Sequence, residues 1–477
     1  MIPSVDYIRI LPELVLSIFG ILVMLVEPVL PDDNSTRPVG YIALVGVLAA
    51  LAATFYQAGF YGDAFFDMVR VDAFSVFFHV VVLLVSLVVV LISFDYLEVQ
   101  KIKAGEYYGL VLFAAVGMAL MSSAIELVLV FVAIEISSIS SYVLAGFRRG
   151  AAESAESSLK YFLLGSFATA FFLYGVAMVF GATGTTNVYR IAAILTTQHS
   201  VLVYLAIALM FVGLGFKVAS APFHVWTPDV YEGAPAPVSG FMSTGPKAAA
   251  FAVLLRVLFA TGAPGWFWLV WVSAILSMTI GNIGALVQNN VKRLLAYSSI
   301  AHAGYLLVAF AAAKTTGISA AIFYAASYAL MNVGAFAIVA HLSGKGERYV
   351  TLEDYSGLGR RSPLIAALLT IFLISLIGIP VTGGFFAKFY VFSAALQSNL
   401  IGLTIIGVIN SAIAAYYYLR VIVYMYMRDT QVEAPVAAMP ASLGAAVGIS
   451  IVATIYLGVL PNRVLDSAIR AAQDLVK

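Results

Sequence analysis

Apolar stretches of about 20 residues recur from one end of this chain to the other, and each is long enough to cross the hydrocarbon core of a bilayer as a helix. Only 10% of the 477 residues are charged, whereas a soluble domain carries about 25%. Helices this apolar cannot all be buried in a water-soluble core. The sequence therefore predicts an all-α polytopic membrane protein.

The residue counts exclude several classes of chemistry. The chain has no cysteine, which excludes cysteine-ligated iron–sulfur clusters, disulfide bonds and thiol catalysis. Its five histidines show no zinc-ligand spacing. We find neither a phosphate-binding glycine loop nor a dinucleotide fingerprint, so neither redox chemistry nor nucleotide hydrolysis is expected in this chain itself. The net charge of +1 argues against a nucleic-acid partner.

The hydropathy pattern predicts about fourteen transmembrane helices. The predicted helices cover residues 12–29, 39–60, 72–94, 107–121, 124–146, 157–181, 201–220, 238–260, 266–288, 294–313, 319–341, 364–396, 401–427 and 442–460. The seventh is expected to break just beyond Lys217, because Pro222 follows. The twelfth is expected to break where Gly378 and Pro380 interrupt it. The first lacks a basic start and is expected to be a retained helix rather than a cleaved signal.

Basic residues in the loops predict the orientation of the chain. One set of alternate loops carries Arg37, Lys101, Lys103, Arg148, Arg149, Lys292, Arg293, Lys345, Arg348, Arg360, Arg361 and Arg428. The opposite set carries the smaller group Arg9, Arg70, Arg190, Lys314, Arg463, Arg470 and Lys477. The richer side is predicted to face the cytoplasm, so that both termini face the periplasm.

Ionisable residues inside the spans form the list of candidate functional residues. Lys217 ends a run, residues 201–216, that contains no charge, and an ammonium in the bilayer costs about 3 kcal/mol. Such residues usually mark an ion or proton pathway. The shortlist consists of six basic residues within or at the edge of spans and one acidic residue: Lys160, Lys217, Lys247, Arg256, Lys388, Arg420 and Glu135, with His224 and His302 as further candidates.

The two broken helices suggest an inverted internal repeat. They are five spans apart, so they cross the membrane in opposite directions, which is typical of inverted-topology repeats. On this interpretation residues 106–262 (helices four to eight) repeat as residues 263–428 (helices nine to thirteen). Three N-terminal helices in residues 1–105 precede them and helix fourteen in residues 429–477 follows. The repeat pairs Glu135 with His302, Lys217 with Lys388, and Lys247 with Arg420.

Five segments carry a resemblance to a known family. They are KVASAPFHVWTPDVYEGAPAPV from Lys217 to Val238, Lys247 within STGPKAAAF, the helix of Glu135 with the sequence LVFVAIEISSISSYVLAGF, NNVKRLLAYSSIAHAGY from Asn289 to Tyr305, and GIPVTGGFFAKFY from Gly378 to Tyr390. With these, nearly the whole chain resembles the antiporter-like membrane subunits of respiratory complex I and of the related multisubunit sodium/proton antiporters. Within this family, the lysine at position 388 resembles the pattern of one subunit type, whereas a sister subunit has a glutamate at that position. A third subunit type continues beyond its last span into a long lateral helix.

The resemblance implies a proton-translocating subunit of NADH–quinone oxidoreductase in a bacterial inner membrane. It implies no cofactor in this chain, with NADH, FMN, iron–sulfur clusters and quinone bound by partner subunits. The expected partners are the sister antiporter-like subunits, small membrane subunits and the lipid bilayer. The implied proton relay is Glu135, Lys217, Lys247 and Lys388, with His302, His224 and Lys160 as further candidates. A subunit of a multisubunit sodium/proton antiporter is the alternative, and a non-transporting scaffold is the third.

A carboxylate close to Lys217 would hold a proton on the lysine, and withdrawal of the carboxylate would release the proton. Glu135 is the expected carboxylate.

Structural interpretations of the same residues stay open at this point. The remaining interpretations are snorkelling of Lys217 or Lys388 to the interface, pairing of Glu135 with Arg148 or Arg149, exposure of Lys160, a hydrogen bond from His224 to the kinked backbone, and a packing role for His302.

Overall fold

The computed structural model describes residues 3–30, 36–196, 200–261, 266–312, 315–430 and 436–476, without the side chains of residues 259–261. These residues form twenty α-helices and one short hairpin. The predicted repeat boundary at 262–263 lies outside the described residues, as do the loop residues Lys314 and Lys477.

The helices are numbered in chain order. They are α1 (Ser4–Arg9), α2 (Leu11–Val26), α3 (Arg37–Gln57), α4 (Ala73–Val99), α5 (Glu106–Ser123), α6 (Leu127–Ala145), α7 (Ala152–Thr183), α8 (Val188–Leu195), α9 (Val201–Lys217), α10 (Thr227–Gly233), α11 (Ala236–Thr261), α12 (Trp266–Leu286), α13 (Val291–Ala311), α14 (Thr315–Leu342), α15 (Leu358–Arg361), α16 (Pro363–Ile377), α17 (Gly383–Gln397), α18 (Ile401–Met427), α19 (Ala441–Val459) and α20 (Asn462–Val476). The hairpin pairs β1 (Gly62–Ala64) with β2 (Val69–Val71), antiparallel.

Twelve helices in the described part of the chain are long and apolar enough to cross a membrane. They are α2 to α7, α11 to α14, α18 and α19. This confirms the prediction of an all-α polytopic membrane protein. Helix α9 is apolar but shorter, with 17 residues, and α16 bends by 119° from the segment before it. The count of fourteen and the inverted repeat stay predictions.

Small residues bring the central helices close together. Helices α11, α13 and α14 are almost wholly buried within the protein, whereas α2, α3 and α18 are mostly exposed on one face. A Cβ atom on Gly281 of α12 would lie 2.5 Å from the Ala301 nitrogen of α13, and one on Gly304 would lie 2.6 Å from the Met278 nitrogen. Such close backbone contact favours helix association where water supplies no driving force.

Both predicted breaks occur in the structure. Helix α9 ends at Lys217, and a non-helical segment, residues 218–226, leads to α10. Helix α16 ends at Ile377, and α17 begins at Gly383. Gly378 caps α16 with φ of 93°, a left-handed conformation that favours glycine. A Cβ on Gly384 would clash with the Ser375 carbonyl oxygen, so the start of α17 packs closely against the end of α16.

The region 429–477, predicted as one helix, contains two. After α19 the chain turns at Pro461 into α20, whose buried residues are Ala468, Ala471, Ala472 and Leu475. This narrow apolar stripe packs on α4 and α14, while charged residues cover the outer face. The spacing of three and four residues is typical of an amphipathic surface helix.

Candidate functional site

Lys217 is buried at the C-terminal end of α9, with 6% of its surface exposed. Its Nζ lies 5.4 Å from the ring centroid of Tyr161 and 5.6 Å from that of Tyr142. These distances allow cation–π attraction. In the described part of the chain no acceptor forms a hydrogen bond or ion pair with this ammonium. The snorkelling interpretation of Lys217 is therefore wrong.

Stacked aromatic rings form the surface that the Lys217 ammonium contacts. The Tyr161 and Trp226 rings stack with centroids 4.4 Å apart and planes 6° apart. Trp226 is the last residue of the non-helical segment, and its Nε1 donates a 3.1 Å hydrogen bond to the carbonyl of Phe216, which precedes Lys217. The segment after the break thus folds back onto the end of α9. The aromatic stack positions the lysine.

Two serines of α12 bind the backbone inside the first break. The nitrogen of Ala221 donates to Ser277 Oγ at 2.7 Å, and Ser273 Oγ donates to the carbonyl of Ala221 at 2.7 Å. Both serines are buried, and backbone groups freed by a broken helix need such partners away from water. His224 lies half-buried in the same segment, and no contact in the described part of the chain joins it to the buried lysines.

Glu135 lies on α6 near Lys217 without forming an ion pair with it. Its Oε1 is buried and has no hydrogen-bond partner among the described residues. The charges of Glu135 and Lys217 act on each other, although N···O exceeds 4.0 Å. Arg148 and Arg149 pair with other carboxylates, at 3.1 and 3.2 Å. The interpretation of Glu135 as their structural partner is therefore wrong.

Lys247 lies in the middle of the membrane-spanning bundle. It is 1% exposed and follows Pro246, which lies within α11. Its Nζ donates to the Ser299 carbonyl at 3.1 Å and also to the Ser299 hydroxyl, which belongs to α13. Lys247 of α11 is thus linked directly to α13, in the second half of the chain.

His302 follows Ser299 by three residues on α13 and is buried between two tyrosines. Its Nδ1 lies 2.7 Å from the Tyr324 hydroxyl and its Nε2 lies 3.3 Å from the Tyr418 hydroxyl. The charges of both Lys247 and Lys388 act on His302. The imidazole thus lies within electrostatic range of both lysines, with a tyrosine hydroxyl beside each ring nitrogen.

Lys388 is buried on α17 and hydrogen-bonded at the second break. Its Nζ donates to the carbonyls of Leu376 and Ile377 at 3.2 and 2.7 Å, and to Ser411 Oγ of α18 at 2.9 Å. It also lies 4.9 Å from the ring centroid of Tyr305. The interpretation of Lys388 as a snorkelling residue is wrong, because its ammonium is bound inside the bundle.

Lys160 stands apart from this buried group. Its side chain is 40% exposed, and its Nζ pairs with Glu156 at 2.7 Å and Asp229 at 2.6 Å. Arg293 pairs with the same Asp229 at 2.8 Å. Lys160 belongs to a surface ion-pair network.

Arg256 and Arg420 also have structural partners. Arg256 pairs with Asp72 at 3.0 Å and donates to Tyr189 and to the Ser122 carbonyl. Arg420 donates to the Leu286 carbonyl at 2.9 Å, at the end of α12. Arg420 therefore caps a helix, and the geometry does not place it in the group around Lys247.

Sequence reasoning did not single out the tyrosines or Glu347. Glu347 accepts hydrogen bonds or ion pairs from Lys292 at 2.7 Å, Arg148 at 3.1 Å, Tyr96 at 2.6 Å and the Ala236 nitrogen at 2.7 Å. Burial acts to raise the pKa of Glu347, but these donors, Lys292 foremost, hold it below its usual value. The sequence signal that could have identified Glu347 was a carboxylate in a glycine-rich loop, directly after Gly344 and Gly346.

These features match one family of membrane proteins. The family model of NADH:quinone oxidoreductase/Mrp antiporter membrane regions matches residues 124–414, which contain Glu135, Lys217, Lys247, His302 and Lys388. The chain therefore belongs to this family of antiporter-like membrane subunits.

Within the family, its relatives include N subunits. It is 69% identical to NADH-quinone oxidoreductase subunit N 2 of Koribacter versatilis (strain Ellin345), over 100% of this chain and 99% of that protein. It is 50% identical to subunit N 1 of Solibacter usitatus (strain Ellin6076), over 98% of each.

Solved structures share the fold. A chain of respiratory complex I from Thermus thermophilus with bound aureothin is 38% identical, with a TM-score of 0.83, covering 95% of this chain and 98% of that one. A chain of the Mrp complex from Dietzia sp. DQ12-45-1b has a TM-score of 0.86 at 22% identity, covering 99% and 98%. The latter likeness concerns the fold alone.

Proposed function

We propose that this chain is the N-type, proton-translocating subunit in the membrane arm of a bacterial NADH–quinone oxidoreductase. Partner subunits carry NADH, FMN, iron–sulfur clusters and quinone, and their electron transfer drives proton movement here. Its neighbours are the sister antiporter-like subunits and small membrane subunits. The observation that carries the proposal is a row of ionisable side chains, the half-buried Glu135 followed by the buried Lys217, Lys247, His302 and Lys388, since ionisable groups inside a membrane are costly and mark pathways.

The proposed topology has fourteen crossings and two inverted units. Twelve of the crossings are the long apolar helices. The other two are broken crossings, one formed by α9 and α10 and the other by α16 and α17. Residues 106–262 and 263–428 form the inverted units, with residues 1–105 before them and 429–477 after them. The breaks then run in opposite directions, and both termini face the periplasm. The inner membrane is the location.

The proposed relay begins at Glu135 and Lys217. When the carboxylate approaches the ammonium, the lysine keeps its proton; when it withdraws, the lysine loses that stabilisation and releases it. Aromatic faces attract the cation but accept no proton, so the released proton must pass to a polar neighbour. Lys247 is the next carrier.

The second half of the relay passes through His302. Lys247 is bonded to Ser299, one turn before His302 on α13. A neutral imidazole can accept a proton at one nitrogen and lose one at the other, and a tyrosine hydroxyl stands at each. Lys388 is the terminal carrier. Lys160 and His224 are outside this line.

A multisubunit sodium/proton antiporter subunit is the second candidate, because the same family model covers both classes. Purification separates them. The tagged chain should co-purify with flavin and iron–sulfur subunits and with NADH–quinone activity. Isolation of a complex that lacks these groups would contradict the first candidate and favour the second.

Pumping by the purified complex in proteoliposomes tests the relay. Lys217→Ala should assemble and lose most of the proton pumping per NADH oxidised, while Lys160→Ala, a lysine in the exposed network, should pump normally. Unchanged pumping in Lys217→Ala would refute the role of this residue.

A further inference from the structure

A long groove lies on the protein surface between α4, α14, α19 and α20. Its volume is about 380 Å³. On α4 it is lined by Ala73, Val76, Phe77, Val80, Val81 and Leu84. Their spacing of three and four residues makes one continuous stripe along the helix. The stripe covers eleven residue steps, about 16 Å at 1.5 Å per residue, which is close to the depth of one leaflet of a bilayer core of about 30 Å.

The opposite walls of the groove are also apolar. Ala326 and Leu330 of α14 and Ala453 and Leu457 of α19 line it, together with Val464 of α20. The deep end, near Leu84 and Leu330, presents hydrocarbon alone. A water-filled or ion-conducting role is therefore excluded for this part of the groove, and its occupant must be apolar over most of its length.

Polar groups lie at the other end of the groove. Tyr61, Ser467 and Arg470 line it there, next to the start of α4. Arg470 is exposed and donates a 3.0 Å hydrogen bond to Ser467 Oγ. Within the described ranges it forms no ion pair. The acidic residue one turn further on, Asp474, accepts instead from the Ala73 nitrogen at 3.2 Å.

We propose that this groove holds an acyl chain of a tightly bound anionic phospholipid, with its phosphate at Arg470. The groove is apolar over the depth of a leaflet and ends in an arginine at the level where headgroups lie, and a guanidinium binds phosphate through charge-assisted hydrogen bonds. A helix from a neighbouring protein would fill the apolar part but would leave Arg470 without an anion. The site is independent of the proton relay.

Matched variants on α19 test the apolar part. Ala453→Phe adds a ring inside the groove, whereas Val452→Phe adds the same ring at the neighbouring, 68% exposed position, which does not line the groove. The intact complex is purified, exchanged into nanodiscs of phosphatidylglycerol and phosphatidylcholine, and analysed by native mass spectrometry after delipidation. Wild type and Val452→Phe should retain one more phosphatidylglycerol than Ala453→Phe. Equal retention in all three would overturn the proposal.

Arg470→Gln and Arg463→Gln test the headgroup contact. Both arginines lie on α20, but Arg463 does not line the groove. Loss of one basic contact of about 1 kcal/mol should lower the preference of the retained lipid for phosphatidylglycerol over phosphatidylcholine about fivefold in Arg470→Gln, and leave it unchanged in Arg463→Gln. Equal preferences in the two variants would overturn the assignment of the phosphate. A photo-crosslinker at position 453 that reacts with a neighbouring subunit instead of lipid would overturn the whole proposal.

Discussion

The ammonium of Lys388 donates a 2.7 Å hydrogen bond to the carbonyl oxygen of Ile377, the last residue of α16. The free carbonyls at a helix C-terminus carry a partial negative charge, which favours a cation. Lys217, its predicted counterpart, has two aromatic faces and no such acceptor in the described part of the chain. The two lysines that the predicted repeat pairs as equivalents therefore have different surroundings. Lys388 is hydrogen-bonded to a helix end, whereas Lys217 contacts aromatic rings and has a carboxylate only at a greater distance.

This difference makes Lys388→Arg informative. Arginine keeps the positive charge and can still donate to the α16 carbonyls, but it does not release a proton at neutral pH. We therefore expect Lys388→Arg to assemble normally and to pump as poorly as Lys388→Ala, measured as protons translocated per NADH oxidised in proteoliposomes. Normal pumping in Lys388→Arg would show that charge, and not proton release, is required at this position.

The serine pair that binds Ala221 should be needed for stability. Ser273→Ala with Ser277→Ala leaves the buried nitrogen and carbonyl of Ala221 unpaired, at a cost of about 1–3 kcal/mol for each group. We expect a lower thermal midpoint of the purified complex. Ser140→Ala is the control, because its hydroxyl bonds only the preceding turn of its own helix, at Ile136. A double variant as stable as this control would contradict the prediction.

His302→Phe should slow coupled turnover. It removes the imidazole that both tyrosine hydroxyls contact, and we expect NADH–quinone turnover coupled to pumping to fall about tenfold, equivalent to about 1.4 kcal/mol of barrier. His302→Gln, which keeps one donor and one acceptor but does not titrate, should be as slow. His341→Phe is the control, since this half-exposed histidine contacts the Ala437 carbonyl in a loop. Full turnover in His302→Gln would show that hydrogen bonding, and not titration, is required at this position, and full turnover in His302→Phe would assign the residue a packing role.

The sequence predicted the elements that depend on local pattern. Apolar length identified the spans, and the proline and glycines after Lys217 and before Lys388 identified both breaks, because these residues interrupt the hydrogen bonds of a helix wherever it packs. The ionisable residues in the spans, such as Lys217 and Lys388, are costly in a membrane and so identified the candidate site. Helix α20 was missed because its apolar stripe is too narrow for a hydropathy window, although its spacing was visible.

Contacts across the chain could not be predicted from pattern. Pairing of Glu135 with Arg148, thirteen positions away, was one open interpretation, yet Arg148 binds Glu347, 199 positions away. Likewise, nothing local to Lys217 indicates that Tyr161 would face it. Such partners are set by the packing of α7, α9 and the loops, where a buried charge takes whichever opposite charge the fold brings within reach.

Glu347→Gln should destabilise the complex at neutral pH. Removal of the carboxylate leaves the Lys292 ammonium, 1% exposed, without its counter-ion, and breaking a buried pair in this way costs about 3 kcal/mol. The thermal midpoint at pH 7 should therefore fall. Glu353→Gln, in the same loop and half-exposed, should leave it unchanged. Lys292→Met combined with Glu347→Gln should be less destabilised than the sum of the single changes, because the two groups interact.

The effect of Glu347→Gln should also depend on pH. The pKa of Glu347 is lower in the folded protein than its usual value of 4.5, so the folded state binds fewer protons. The stabilisation is therefore complete above pH of about 4.5 and is lost as the pH falls through the lower, folded pKa. The difference in thermal midpoint between wild type and Glu347→Gln should be constant from pH 8 to about pH 5 and shrink below that. A difference that persists undiminished in acid would mean that the shape of the side chain, and not its charge, stabilises the loop.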